Sequence, residues 1–104
     1  MPRLPRLDTP GSRHHVMNRG ARHEVVFVDD EACAWFLALL AELPGRFHTT
    51  VHGYSLMPNH FHVMLTAGAH GLGAPLRYLQ GEYSRWLNRR RRWDGPVWRA
   101  RYKS

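Results

Sequence analysis

Two stretches with helical periodicity and four short strand-like stretches alternate along the 104 residues, and their order predicts an α+β, ferredoxin-like fold. The predicted order is strand, helix, strand, strand, helix, strand, the split β-α-β plan with helices on one face of an antiparallel sheet. The chain is long enough for one domain and too short for a second core. We therefore expect one domain over residues 13–104.

An arm and a strand open the chain. Residues 1–12 contain three prolines and two arginines, a composition typical of a flexible, basic arm. Residues 13–18 alternate loosely and precede Arg19-Gly20, so they are expected to form the first strand.

The first helix is predicted to begin at Asp29, because the acidic residues 29–31 supply an N-cap and a negatively charged first turn. Apolar residues then recur at helical spacing from Ala32 to Leu43. Pro44-Gly45 is expected to end this helix.

Two strands follow the first helix. Residues 47–56 alternate loosely and are interrupted by Gly53, whereas residues 60–66 alternate with a strict period of two. Met57-Pro58-Asn59 between them is a turn signal, so we expect an antiparallel hairpin.

The second helix is predicted over residues 75–93, with the arginine run Arg89–Arg92 at its C-terminal end. Asp94-Gly95-Pro96 breaks the periodicity. Residues 97–102 are then expected to form the last strand.

The chain is strongly basic. Its formal charge is +7 with histidines neutral, from 15 basic and 8 acidic residues, which favours a polyanionic partner such as nucleic acid. Lys103 is the single lysine and the other basic residues are arginine, which favours bidentate phosphate contacts. A genome rich in G and C would also raise the ratio of arginine to lysine, but it would leave the net charge unexplained.

Cys33 is the single cysteine, so the chain can form no internal disulfide. No segment resembles a secretory signal, and no apolar run approaches the roughly 20 residues of a membrane helix. These features favour a cytoplasmic protein and argue against a membrane protein.

The pair His60 and His62 is the sharpest local feature. Residues two apart on a strand project from the same face, so both imidazoles can approach one divalent ion. A bare His-x-His pair is more often two exposed histidines without a ligand, so the neighbouring sequence must decide. His52, on the adjacent predicted strand, is a weaker candidate neighbour of the pair.

The string YSLMPNHFHVML, from Tyr54 to Leu65, resembles the signature of the insertion-sequence single-strand transposases and, more closely, of the REP-associated tyrosine transposases. Both groups belong to the HUH endonuclease superfamily. HVMNRG at residues 15–20, VFVDDE at 26–31 and GPVWRARYK at 95–103 are similar to further stretches of the family in the same order. The resemblance covers nearly all of residues 13–104 and implies an HUH-type fold that acts on DNA.

In this family the two motif histidines hold a Mg²⁺ or Mn²⁺ ion that polarises the scissile phosphate of single-stranded DNA. The resemblance therefore assigns His60 and His62 as metal ligands. Such an ion stabilises the charge that builds on the non-bridging oxygens. Nitrogen ligands alone do not select magnesium, so the identity of the metal depends on the resemblance.

The family nucleophile is a tyrosine on a helix beyond the last strand, and a polar residue of that helix completes the metal site. By alignment this tyrosine would lie beyond Ser104, so we expect the catalytic residue to be missing from this chain. The tyrosines at hand are Tyr54, Tyr78, Tyr83 and Tyr102. Tyr54 and Tyr83 are expected to have packing roles, and we expect none of the four to be the nucleophile.

Arginines concentrate towards the C-terminus, with tryptophans and Tyr102 interleaved among them. Arginines that follow phosphates beside aromatic side chains that stack on bases are typical of binding to single strands or hairpins. A solvated helix end, whose arginines also favour the helix dipole, is the alternative. The predicted DNA contacts are Arg13, Arg19, Arg85, Arg89, Arg90, Arg91, Arg92, Arg99, Arg101 and Lys103.

Two functions are consistent with these features. The first is a transposase-like domain for metal-dependent cleavage and transfer of single-stranded or hairpin DNA, incomplete in this chain. The alternative is a non-catalytic remnant that binds such DNA, and a basic α+β protein without a DNA role is a third, weaker alternative. Members of the wider family work as dimers, so a homodimer is a further expectation.

Overall fold

A computed structural model describes residues 9–104 as a three-stranded antiparallel sheet with two helices packed on one face. The elements are β1 (Arg13–Arg19), a single 3₁₀ turn (Ala21–His23), α1 (Asp30–Phe47), β2 (Thr50–Met57), β3 (His60–Thr66) and α2 (Gly73–Arg90). The strands lie side by side in the order β1-β3-β2. The predicted α+β, ferredoxin-like fold is confirmed.

The two faces of the sheet differ because side chains alternate along each strand. Phe61, Val63 and Leu65 of β3 are fully buried against the helices, and Val16 of β1 joins them in the core. The intervening residues of β3, beginning with His60, lie on the opposite face and are not fully buried.

Helix α1 begins where the sequence predicts and ends later. The backbone N–H of Ala32 donates a hydrogen bond of 2.9 Å to the Asp29 carboxylate, which caps the helix. The predicted end at Pro44 is wrong, because the helix continues to Phe47 and closes at His48 with φ 56°. Pro44 donates no hydrogen bond, but its carbonyl accepts one of 3.0 Å from the N–H of His48, which completes the last turn.

The predicted hairpin is confirmed, and β3 has the predicted bounds. Strand β2 begins three residues later than expected because α1 takes up Phe47. Its pairing with β3 shifts between Val51 and Gly53, which is a bulge at the predicted interruption.

Helix α2 runs from Gly73 to Arg90, two residues earlier at its start and three residues earlier at its end than predicted. Pro75 is tolerated because the first-turn N–H groups of a helix have no partner within the helix. Leu76, Leu79 and Tyr83 are fully buried against the rest of the core. Among residues 9–104, no helix combines the length and apolar character that a membrane crossing requires.

The predicted last strand over residues 97–102 is wrong as a regular strand. The backbone of the C-terminal segment, residues 91–104, forms two isolated antiparallel bridges here, one between Lys103 and Met17 of β1 and one between Trp98 and Gly20, just after β1. In the C-terminal segment, residues 99–102 lie between the two bridges, whereas only two residues lie between them on the β1 side. The C-terminal segment therefore bulges away from β1. It still occupies the sheet edge that the fold plan assigns to a fourth strand.

Asn18 lies beside this bulge. Its side-chain N–H₂ group donates hydrogen bonds to the carbonyl of Ala100 at 2.9 Å and to the side-chain oxygen of Gln80 at 2.7 Å. Asn18 therefore joins β1, α2 and the C-terminal segment although it is a polar residue in the core.

Residues 9–12 form a turn beside the end of β3. The N–H of Gly11 donates to the carbonyl of Ala67, and the N–H of Ala67 donates to the carbonyl of Ser12, both at 2.8 Å. Residues 1–8 of the predicted arm lie outside the described residues.

Candidate metal and nucleic-acid site

His60 and His62 lie side by side on the sheet face that points away from the helices. Their ring centroids are 5.2 Å apart and their planes are nearly perpendicular. The register of the sheet places Met17 opposite His62 and Arg19 opposite His60. This arrangement agrees with the same-face placement that the sequence predicts.

Asn59 orients the His60 ring. The Asn59 side-chain oxygen and the Nδ1 atom of His60 are 2.8 Å apart, and the oxygen can only accept. Nδ1 therefore donates this hydrogen bond, and in the neutral ring the lone pair of Nε2 is available to a ligand.

His15 is the neighbour that sequence reasoning missed. Its Nε2 atom lies 2.8 Å from the Nδ1 atom of His62, and the two ring centroids are 4.9 Å apart. Burial, followed by the nearby rings of His15 and His60, lowers the pKa of His62. A neutral imidazole is the form that binds metal ions. His52 does not join this group, because its ring makes a hydrogen bond of 2.6 Å with the hydroxyl of Thr66.

We call the surface formed by His15, His60 and His62 the histidine face. In the described part of the chain, no three histidine, cysteine or carboxylate side chains are arranged to hold one ion together. His15 and His62 direct ring nitrogens at each other, so His15 is a hydrogen-bond partner of His62. The donor set at this surface is therefore the pair His60 and His62.

A cavity of about 230 Å³ lies beside the histidine face, where the C-terminal segment bulges from β1. The residues that line this β1 cavity are Met17, Asn18, Arg19, Arg99, Ala100, Arg101 and Lys103. Four of these side chains are cationic and none is acidic. Among residues 9–104, none of the four forms an ion pair with a carboxylate, so their charges are available to an anion.

A second cavity of about 360 Å³ shares Arg101 with the β1 cavity. The residues that line this α2 cavity are Gly73, Arg77, Gln80, Arg101 and Tyr102. Arg77 and Gln80 were not among the predicted contacts. The helical periodicity placed them on α2, but it could not show that the C-terminal segment would pack beside them.

The other predicted DNA contacts lie elsewhere. Arg13 is opposite Thr66, six residues along β3 from His60, which is about 20 Å on an extended strand. Arg85 forms an ion pair of 2.7 Å with Glu82 on the exposed side of α2.

Two arginines of the run Arg89–Arg92 contact other groups of the protein, and two point into solvent. Arg90 forms a bidentate ion pair with Asp29, the N-cap of α1. Arg91 lies over the ring of Trp93, with 4.9 Å between its guanidinium carbon and the ring centroid. Arg89 and Arg92 are exposed.

None of the tyrosines in residues 9–104 lies on the histidine face. Tyr83 is fully buried and donates a hydrogen bond to the carbonyl of Val26, and burial raises its pKa. Tyr78 donates a hydrogen bond of 3.0 Å to Glu42. Tyr54 lies at the sheet edge against α1, and Tyr102 lines the α2 cavity.

These features define a small α+β domain with a histidine pair beside a cationic cavity. The profile of the family "Transposase IS200 like" matches residues 10–104. The chain therefore belongs to the IS200-like transposase family, as the sequence resemblance implied.

Two solved structures share the fold. A candidate transposase from Deinococcus radiodurans R1 is 18% identical, with a TM-score of 0.70, and the match covers 97% of this chain and 82% of the other. A REP-associated tyrosine transposase bound to a REP hairpin is 11% identical, with a TM-score of 0.77, and the match covers 99% of this chain. This chain spans 60% of the length of the second structure. A comparison with curated proteins finds no match.

Proposed function

We propose that this domain binds single-stranded or hairpin DNA where the histidine face adjoins the β1 cavity, and that it serves metal-dependent cleavage and transfer of the strand. The observation that carries the proposal is the register of the sheet. It places Arg19 opposite His60, and Arg19 also lines the β1 cavity. Potential metal ligands and unpaired cations therefore share one surface. The family to which the chain belongs and its likeness in fold to a transposase bound to a REP hairpin support this choice of partner.

The residues of the histidine face fit a divalent cation. Asn59 engages Nδ1 of His60, so Nε2 is the ring nitrogen left for a ligand, and the lowered pKa of His62 favours its neutral ring. His60 and His62 would hold Mg²⁺ or Mn²⁺, and such an ion would stabilise negative charge that builds on the scissile phosphate. His15 would hold the His62 ring in place through their hydrogen bond.

The β1 cavity would hold the flanking phosphates. Arg19, Arg99 and Lys103 have no carboxylate partner within the described residues, so binding DNA would break no ion pair of theirs. Guanidinium groups bind phosphate oxygens in pairs, which would fix the strand relative to His60 and His62. We propose further that residues 13–104 form the working domain and that the basic residues of 1–12 add to its DNA affinity.

The attacking group is proposed to come from outside the described residues. Tyr54, Tyr78, Tyr83 and Tyr102 all lie away from the histidine face, and Tyr83 is engaged in the core. A homodimer is proposed as well, and sedimentation of the chain with and without DNA would test it. The same observation favours the second candidate function, a domain that binds DNA without cleaving it.

The test uses a labelled hairpin oligonucleotide with Mn²⁺, followed by a denaturing gel. A covalent adduct or a shortened strand supports cleavage, whereas binding without either product supports the second candidate. Calorimetry with Mn²⁺ tests the metal site separately. The double variant with His60→Ala and His62→Ala should lose specific Mn²⁺ binding, and His52→Ala on the neighbouring strand should keep it. Unchanged Mn²⁺ binding in the double variant would contradict the proposed site.

A further inference from the structure

Each candidate metal ligand has a side-chain partner at its Nδ1 atom. Nδ1 of His60 lies 2.8 Å from the side-chain oxygen of Asn59, and Nδ1 of His62 lies 2.8 Å from Nε2 of His15. Within residues 9–104, neither ligand ring makes a hydrogen bond through its Nε2 atom. Both rings therefore have the same nitrogen, Nε2, left for an ion.

Asn59 and His15 differ in the hydrogen bonds that they can make. The side-chain oxygen of Asn59 only accepts, so the direction of its bond is fixed. Nε2 of His15 accepts when the His15 proton is on Nδ1 and donates when Nε2 carries it. A neutral His62 ring that donates from Nδ1 has its lone pair on Nε2, whereas one that accepts at Nδ1 has its proton on Nε2 and cannot bind an ion there.

Strand order brings His15 to this position. His15 pairs with Met64, which is two residues along β3 from His62, so the contact between the two histidines is diagonal across neighbouring strands. Their ring centroids are 4.9 Å apart. The three strands contain no aspartate or glutamate, so no carboxylate of the strands competes with His15 for Nδ1 of His62.

We propose that His15 is a positioning residue that selects the metal-binding nitrogen of His62. It accepts the proton of Nδ1 and so keeps the lone pair on Nε2, as Asn59 does for His60. Nε2 is the ring nitrogen farther from the main chain, so two Nε2 ligands would hold the ion away from the sheet, where a phosphate can reach it. This role rests on the proposed function, because it prepares a nitrogen for the proposed ion.

Two amides at position 15 separate the reach of the side chain from its chemistry. Gln places an amide oxygen where Nε2 of the histidine lies, whereas Asn carries the same amide on a side chain one methylene shorter. His15→Gln should keep the dissociation constant for Mn²⁺ within about threefold of the wild-type value, and His15→Asn should raise it about tenfold or more. Calorimetry measures both.

His14→Gln is the matched control for these variants. The His14 ring bonds with the hydroxyl of Ser12 at 2.9 Å and takes no part in the histidine face, so this change should leave Mn²⁺ affinity unaltered. His15 is exposed, so the melting temperatures of His15→Gln and His15→Asn should stay equal to that of the wild-type chain. A loss of affinity then reports on the metal site and not on unfolding.

The nitrogen that binds the ion can be observed with Zn²⁺, a diamagnetic ion that imidazole binds well. Long-range ¹H–¹⁵N spectra of protein labelled in its histidines report which nitrogen of each ring carries a proton and which binds the ion. In the Zn²⁺-bound wild-type chain, His62 should have its proton on Nδ1 and the ion on Nε2, and His15 should bind no ion. In His15→Asn, the Nδ1 and Nε2 atoms of His62 should share the ion.

The outcomes separate this role from the proposed metal site. Zn²⁺ bound to a nitrogen of His15 would overturn the positioning role, because His15 would then be a ligand itself. Equal Mn²⁺ affinities in His15→Gln and His15→Asn, whether both weakened or both unchanged, would also overturn it and leave the metal site standing. Absence of Mn²⁺ and Zn²⁺ binding in the wild-type chain would overturn the metal site and this role with it.

Discussion

Two arginine-rich stretches close to each other in sequence have different surroundings. Arg99 and Arg101 line the β1 cavity and have no carboxylate partner within residues 9–104. In the arginine run, Arg90 is paired with the N-cap of α1 and lies over the ring of Trp86 at 5.2 Å, and Arg91 lies over Trp93.

The difference shows that a high local density of arginines does not leave each of their charges without a partner in the protein. An arginine whose charge is matched inside the protein must lose that partner before it can bind a phosphate, whereas an arginine on a cavity wall is ready to bind. The run therefore joins α1 to α2 through Arg90, and the C-terminal segment is the better candidate for the DNA surface. Substitutions in the two stretches and in the core test this difference.

The largest effect is expected from the double variant with Arg99→Ala and Arg101→Ala. It should weaken binding to single-stranded DNA by about 10- to 100-fold at low salt, because two phosphate contacts are lost. The slope of log K against log salt concentration should become shallower by about 1.4, and anisotropy titrations at several salt concentrations would measure both. Arg89→Ala with Arg92→Ala removes the same charge from the exposed part of the run and should cost much less. Equal losses in the two double variants would contradict the comparison.

A smaller effect, on stability alone, is expected from Tyr83→Phe. The hydroxyl of Tyr83 donates to the carbonyl of Val26 in the core, and its loss leaves a buried acceptor unpaired. The free energy of unfolding in urea should fall by about 1–2 kcal/mol, with DNA affinity unchanged. Tyr54→Phe, at an exposed position, serves as the control. A loss of DNA affinity without a loss of stability in Tyr83→Phe would show that the hydroxyl does more than support the fold.

Arg90→Ala should lower the melting temperature by a few degrees, since it removes the contact that ties α2 to the start of α1. DNA affinity should change by less than about twofold, because this charge is already matched. Thermal unfolding and anisotropy on the same sample would check both statements. Arg92 is exposed and lies two residues away, so Arg92→Ala should leave the melting temperature unchanged. If Arg90→Ala instead weakened DNA binding as strongly as the changes in the C-terminal segment, the division between the two regions would be wrong.

The smallest expected effect is the dependence of stability on pH that Asp29 produces. The hydrogen bond from Arg90, together with that from the N–H of Ala32, holds the pKa of Asp29 below its ordinary value. A carboxyl whose pKa is lower in the folded state stabilises the protein above its unfolded pKa, and this contribution is lost as the pH falls through the folded pKa. Asp29→Asn keeps a capping side chain but does not titrate. The difference in melting temperature between wild-type and variant should therefore shrink on acidification, and a constant difference would contradict the assignment.

Much of the fold could be predicted because it depends on neighbours in sequence. The strict alternation of residues 60–66 predicts both the bounds of β3 and the shared face of His60 and His62. The acidic residues before Ala32 predict the start of α1 through a cap that spans three residues. These features are local, so propensity and periodicity suffice to identify them.

Other features were missed because they depend on partners far apart in the chain. The end of α1 passes Pro44 because the next turn still packs on the core, a tertiary effect that overrides a local breaker. The predicted last strand does not form because residues 99–102 lie opposite only two residues on the β1 side, so the two backbones cannot pair continuously. No local sequence pattern reveals this mismatch. That bulge opens the β1 cavity.

The α+β order, the excess of positive charge, the family and the placement of His60 beside His62 can all be read from the amino-acid sequence. The contact between His15 and His62 and the contact between Asn18 and Gln80 exist only in the folded chain. These two pairs of residues are separated in sequence by 47 and by 62 positions, respectively. Strand order and helix packing bring such residues together, and these result from burial of the whole core, which no short stretch of sequence encodes.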